Sequence, residues 1–74
     1  MEELIAETVE GVPGVIDCHQ IRMRYSGAVL FIDLHVLVDG GQTLAQAHAL
    51  TEVIDAEIQR IAPRADITVH PEPH

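Results

Sequence analysis

The sequence contains no lysine and no tryptophan, a single cysteine, and only two aromatic residues, Tyr25 and Phe31. Each shortage excludes something. One cysteine, Cys18, permits no intrachain disulfide, no four-cysteine zinc framework and no CxxC redox or copper-handling pair, which fits a reducing, cytosolic setting. Four arginines against twelve carboxylates leave no cationic stripe for nucleic acid or anionic lipid, since phosphate binding needs concentrated positive charge. No run reaches the roughly 18 apolar residues that cross a bilayer, and no basic start leads into an apolar signal segment. The chain is therefore expected to be soluble, with no direct membrane insertion. Met1 followed by an acidic helix suits a domain excised from something larger.

With so few aromatics the core must be aliphatic. At 74 residues this is one small domain, for which a single core supplies about 3–5 kcal/mol. A metal, a partner subunit or a further domain is expected to add to that. The net charge of −8 attracts divalent cations weakly everywhere and strongly only where ligands converge.

Residues 1 to about 11 read as a helix, with Glu2 and Glu3 at the positive end of its dipole and Gly11 and Pro13 ending it. Val15 to Tyr25 and Ala28 to Asp39 read as strands around a tight Ser26-Gly27 turn. Side-chain alternation favours a register pairing Ile21 with Ile32, Met23 with Leu30 and Cys18 with His35. Thr43 and Gln46 form a capping box for a helix to about Ala62, whose stripe of Leu44, Ala47, Thr51, Ile54, Ile58 and Ile61 faces the sheet. Asp66 to His70 is a short third strand, and Pro71 and Pro73 are expected to stop its ladder pairing. The order αββαβ predicts a two-layer α+β sandwich with the third strand parallel to the second.

Histidine is what the chain has in excess of need. His19, His35, His48 and His70 with Glu72 lie far apart in sequence, and so small a fold can gather them. Neutral imidazole with carboxylate suits divalent transition metals. His35 shares a strand side with Asp33, a possible additional ligand, and in the expected register faces Cys18, another. Against this stand a solvated strand histidine and a small buried cysteine. Alternation points His19 inward, although a bulge at the strand end could swing it towards His35. His48 is expected on the sheet-facing stripe, where the nearby helix N-terminus keeps its ring neutral; a partly buried helix histidine is the competing reading. His70 and Glu72 leave the stiff His-Pro-Glu-Pro segment on one side. His74 is terminal and is not counted. Arg22 and Arg24 read as a solvated or salt-bridged strand face.

No catalytic arrangement competes. Ser26 has no base beside it in sequence, Gly40-Gly41 lacks the GKS/T element, and the close histidine pair with a carboxylate base of zinc hydrolases is missing. No enzyme is expected.

Val12-Pro13-Gly14-Val15, His19, Ile21-Arg22-Met23-Arg24, Gly27 and Phe31-Ile32-Asp33-Leu34-His35 resemble the start of the cytoplasmic C-terminal domain of cation diffusion facilitator transporters. Ala47-His48 and Ile67-Thr68-Val69-His70-Pro71-Glu72-Pro73 resemble its second half. The resemblance implies a ferredoxin-like, metallochaperone-like domain on the cytoplasmic side of a membrane, paired as a homodimer beneath the transmembrane domain of its parent transporter. It implies that divalent metal binds at the dimer and tightens it, controlling export in exchange for protons. Zinc comes first, with iron, manganese, cobalt, nickel or cadmium as alternatives. The family's ligand positions fall on His19, His35, His48, His70 and Glu72. Glu72 stands where aspartate is usual in zinc exporters, and Cys18 is a second departure. Two rival readings use the same fold: a metal-independent dimerisation module, and a regulatory domain binding a small metabolite.

Overall fold

The computed structural model describes residues 1–74. Glu2 and Glu3 open helix α1, Glu2–Glu10, which ends at Gly11. Strand β1, Val15–Ser26, turns back into β2, Val29–Val38; helix α2, Leu44–Ile61, then leads to β3, Asp66–Pro73. The sheet order is β1-β2-β3, with β1 antiparallel and β3 parallel to β2. This is the αββαβ two-layer sandwich the sequence predicts. Thr43 caps α2 as expected: its hydroxyl accepts from the Gln46 N–H at 3.1 Å, and the Gln46 side chain accepts from the Thr43 N–H at 2.8 Å.

Both helices press on one face of the sheet. Ile5 and Val9 from α1, and Ile54 and Ile58 from α2, join Ile32, Leu34, Val36 and Val38 of β2 in one aliphatic cluster. Strict alternation along β2 follows from this. Its even-numbered residues from Ile32 to Val38 are buried, and Phe31, Asp33, His35 and Leu37 face the helix-free side. That outer face carries the candidate site.

Three local expectations are corrected. The hairpin turn is Gly27-Ala28, so Ser26 pairs with Val29, Met23 with Ile32 and Arg22 with Asp33. Gly27 has φ +61°, a positive φ at the first turn position, which glycine reaches without steric cost. Cys18 consequently pairs with Val36, and His19 with His35. β3 also runs on through both prolines, pairing Val36 with Pro71 and Val38 with Pro73. The N–H of His74 bonds to the Val38 carbonyl at 2.8 Å. By alternation the nitrogens of Pro71 and Pro73 then face the open edge, where no donor is needed. Finally Leu44 lies outside the sheet-facing stripe and is 88% exposed.

Between His19 and Arg22 the β1 ladder slips by one, leaving Gln20 and Ile21 opposite Leu34. Gln20 adopts φ +53° to make this bulge. The extra residue reverses the alternation upstream, so His19 emerges on the outer face rather than among the core residues. Left-handed backbone strains any side chain with a Cβ, most of all a branched one. Gln20→Gly is expected to leave stability unchanged or raise it by about 1 kcal/mol, and Gln20→Val to lower it by about 1–2 kcal/mol, read from urea unfolding.

Candidate metal centre

Three strands present one row of imidazoles. His19 of β1 pairs with His35 of β2, which pairs with His70 of β3. The rings of His35 and His70 stack at 4.8 Å with planes 20° apart, and those of His19 and His35 lie 5.7 Å apart. Carboxylates flank the row on both sides. Asp33, two residues before His35, accepts from His70 Nε2 at 2.9 Å. Glu72, two residues after His70, reaches back with one oxygen to His35 Nδ1 at 2.6 Å and the other to His19 Nε2 at 3.1 Å.

The bonding assigns protons. An ionised carboxylate only accepts, so His35 Nδ1 and His19 Nε2 carry the hydrogens that face Glu72. His35 Nε2 and His19 Nδ1 are left as potential lone-pair donors. The His35 and His19 hydrogen bonds favour the charged form of Glu72 and hold its carboxyl below the ordinary value of 4.5, against the opposing pull of desolvation. A lowered carboxyl pKa contributes stability above the unfolded-state value, and that stability disappears as pH falls through the folded-state value. Glu72→Gln is therefore expected to flatten the decline of stability below about pH 4.5, measured by urea unfolding from about pH 6 to pH 3.

Asp33, His35 and His70 each offer a ligand atom, all within 4.8 Å of one another and partly buried. Donors at about 2.0–2.2 Å from one ion can be at most about 4.4 Å apart, so modest side-chain contraction fits this triad to a transition metal. His19 and Glu72 complete the cluster. His48 does not join it. It points away from the sheet on α2, largely exposed, and pairs only with Glu52 at 2.8 Å. Its expected place on the sheet-facing stripe is thus corrected: six residues at 3.6 per turn put it about 120° around the helix from Ile54. Cys18 faces the core, 8% exposed. Burial, and then the charges of Glu10 and Asp17, push its thiol up to about 11. It stays protonated at neutral pH and offers no thiolate. Arg22 stands across from Asp33, beside the cluster. The sequence alone reads Arg22 as part of a solvated or salt-bridged strand face, because its place opposite Asp33 becomes visible only once the turn is placed correctly.

The family model described as the cytoplasmic domain of cation efflux proteins matches residues 1–74. The chain belongs to this family. The resemblance to the C-terminal domain of cation diffusion facilitators is borne out, and the chain is a cytoplasmic domain of this type. Among its relatives, the cation-efflux pump FieF of Pectobacterium atrosepticum is 36% identical over 69 residues, and that of Serratia proteamaculans 35% over 71. These matches take in 93% and 96% of this chain but only 23% and 24% of the pumps, so it spans about a quarter of their length. The solved MamM C-terminal domain superposes with a TM-score of 0.88 at 31% identity, covering 99% of this chain and 94% of that one. Its metallochaperone-like fold is shared here. A cadmium form of a MamM variant matches with the same TM-score at 30% identity, covering 99% of this chain and 92% of that one. No helix of this chain is long and apolar enough to cross a membrane.

Proposed function

We propose that this domain binds a divalent ion, zinc foremost, on the outer sheet face, pairs with a second copy, and so regulates the efflux transporter to which it belongs. The observation that carries the reading is the convergence of Asp33, His35 and His70 within 4.8 Å. Two imidazoles and one carboxylate are a donor set suited to zinc, iron, nickel, cobalt and manganese. The cadmium and nickel forms of the similar MamM domain support divalent binding by this fold.

When bound, the ion supplies two positive charges and a fixed coordination geometry. The rest is done by the chain. Glu72 keeps His35 Nδ1 protonated and aims Nε2 into the site, an outer-shell role that fixes ring orientation. Asp33 and His70, bonded to each other at 2.9 Å, would exchange that contact for the ion, Asp33 offering a carboxylate oxygen and His70 a ring nitrogen lone pair. His19 stands at the rim as a further donor held by Glu72. His48, on the opposite layer, takes part only through a second copy.

Each copy carries a net charge of −8, which opposes pairing. Neutralising the outer face favours the tighter pair, and the population shifts by the difference in metal affinity between its open and closed forms. The parent's membrane part would use that closure to govern export of the ion in exchange for protons. Small-angle scattering tests the reading. Zinc should lower the radius of gyration of the chelator-stripped pair, and His70→Ala should remove that change while preserving the metal-free profile. Equal compaction in the variant would refute it.

A further inference from the structure

Beside the triad lies a groove of about 270 Å³, lined by Arg22, Arg24, Phe31, Asp33, Asp66 and Thr68. It holds half of the chain's four cations. In a chain with three times as many carboxylates, neither guanidinium forms an ion pair; the arginine that does is Arg60, with Glu57 on α2. Arg24 is instead held over the Phe31 ring, 5.0 Å from its centroid. Arg22 stands directly across from Asp33, the triad's carboxylate. The groove's own charges balance, two arginines against Asp33 and Asp66. That balance changes once Asp33 is engaged by a divalent ion, which leaves the groove positive.

The triad itself is incomplete. Two histidines and one carboxylate leave open coordination positions on a four- to six-coordinate ion. An oxyanion placed there is held twice, by the ion and by a planar guanidinium whose paired N–H groups match carboxylate and phosphate oxygens.

We propose that the Arg22–Arg24 groove is an anion subsite of the metal centre, taking a small oxyanion of the carboxylate or phosphate class as a co-ligand of the bound ion. This rests on the metal reading above. The anion binds the metal-loaded domain more tightly than the metal-free one, and by reciprocity it tightens metal binding by the same factor that the metal tightens its own.

Cobalt(II) titrations, read by visible absorption, test this in a non-coordinating buffer alone, with inorganic phosphate and with acetate. Phosphate or acetate should alter the cobalt spectrum and tighten the apparent Kd about tenfold. An effect of one alone identifies which oxyanion chemistry the groove takes. In Arg22→Gln, cobalt binding without added anion should be no weaker, because a nearby positive charge is gone, while the anion effect is lost. Arg60→Gln removes the same charge from α2 and should keep the effect. Cobalt binding that ignores both anions, or an anion effect that survives Arg22→Gln, overturns the subsite and leaves the metal reading standing. Failure of cobalt to bind at all overturns both.

Discussion

Replacing His35 with alanine is expected to weaken zinc binding roughly 100-fold or more, since even the loss of an outer-shell partner costs 10–100-fold. His35 is the centre of the row. It contributes a ligand atom to the triad, stacks on His70 and anchors Glu72 at 2.6 Å. Its removal takes away one donor and also frees Glu72, which then no longer links His19 to the site. The metal-free fold should survive, because His35 projects from the outer face while Leu34 and Val36 on either side supply the core. Calorimetric titration of the stripped variant near neutral pH, with its thermal midpoint measured alongside, separates the two effects. Unchanged affinity would remove the outer-face row from any account of metal binding.

Ile54→Ala is expected to bring the isolated domain close to unfolding at 25 °C. Ile54 is fully buried in the aliphatic cluster between the helices and the sheet. Truncating such a residue costs about 2–5 kcal/mol, comparable with the roughly 3–5 kcal/mol that a core of this size provides. Zinc should rescue the variant in part. A ligand that binds only the folded state adds about 2.7 kcal/mol at a hundred times its Kd. Urea unfolding followed by circular dichroism, with and without zinc, reads both effects. A loss under about 1 kcal/mol would mean that α2 does not depend on this contact.

The layers of the fold are legible in the sequence because simple periodicities govern them. β2 alternates from Ile32 to Val38, and Thr43 with Gln46 announces α2 from its own chemistry. The register is less legible. Moving the turn from Ser26-Gly27 to Gly27-Ala28 changes every partner along β1, and the bulge at Gln20 then changes the upstream partners again. Two successive offsets carry Cys18 to Val36 and His19 to His35, and alternation alone predicts neither. The bulge that brings His19 outward is foreseen in the sequence only as something a strand end allows, and its position at Gln20 is not.

His48 illustrates a different limit. A helix with Leu44, Ala47, Thr51 and Ile54 has a broad apolar stripe, and its edges are set by tertiary packing. The sheet takes Ala47, Leu50, Ile54 and Ile58, leaving Leu44 and His48 to solvent. The prolines mislead for a positional reason. Pro71 and Pro73 would break an inner strand, but on an edge with alternating donors they cost no hydrogen bond and keep Glu72 aimed at the imidazoles. Asp33 is marked by its spacing to His35, yet its partner His70 comes from a parallel strand whose register no local pattern gives.

The most direct measurement is a heteronuclear NMR titration of the stripped, isotope-labelled domain with zinc, following backbone amides and imidazole nitrogens together. Saturable changes centred on Asp33, His35 and His70, extending to His19 and Glu72, with His35 responding at Nε2 rather than Nδ1, are the predicted result. Shifts confined to His48 and Glu52 on α2, or a drift that never saturates, would contradict the outer-face metal centre.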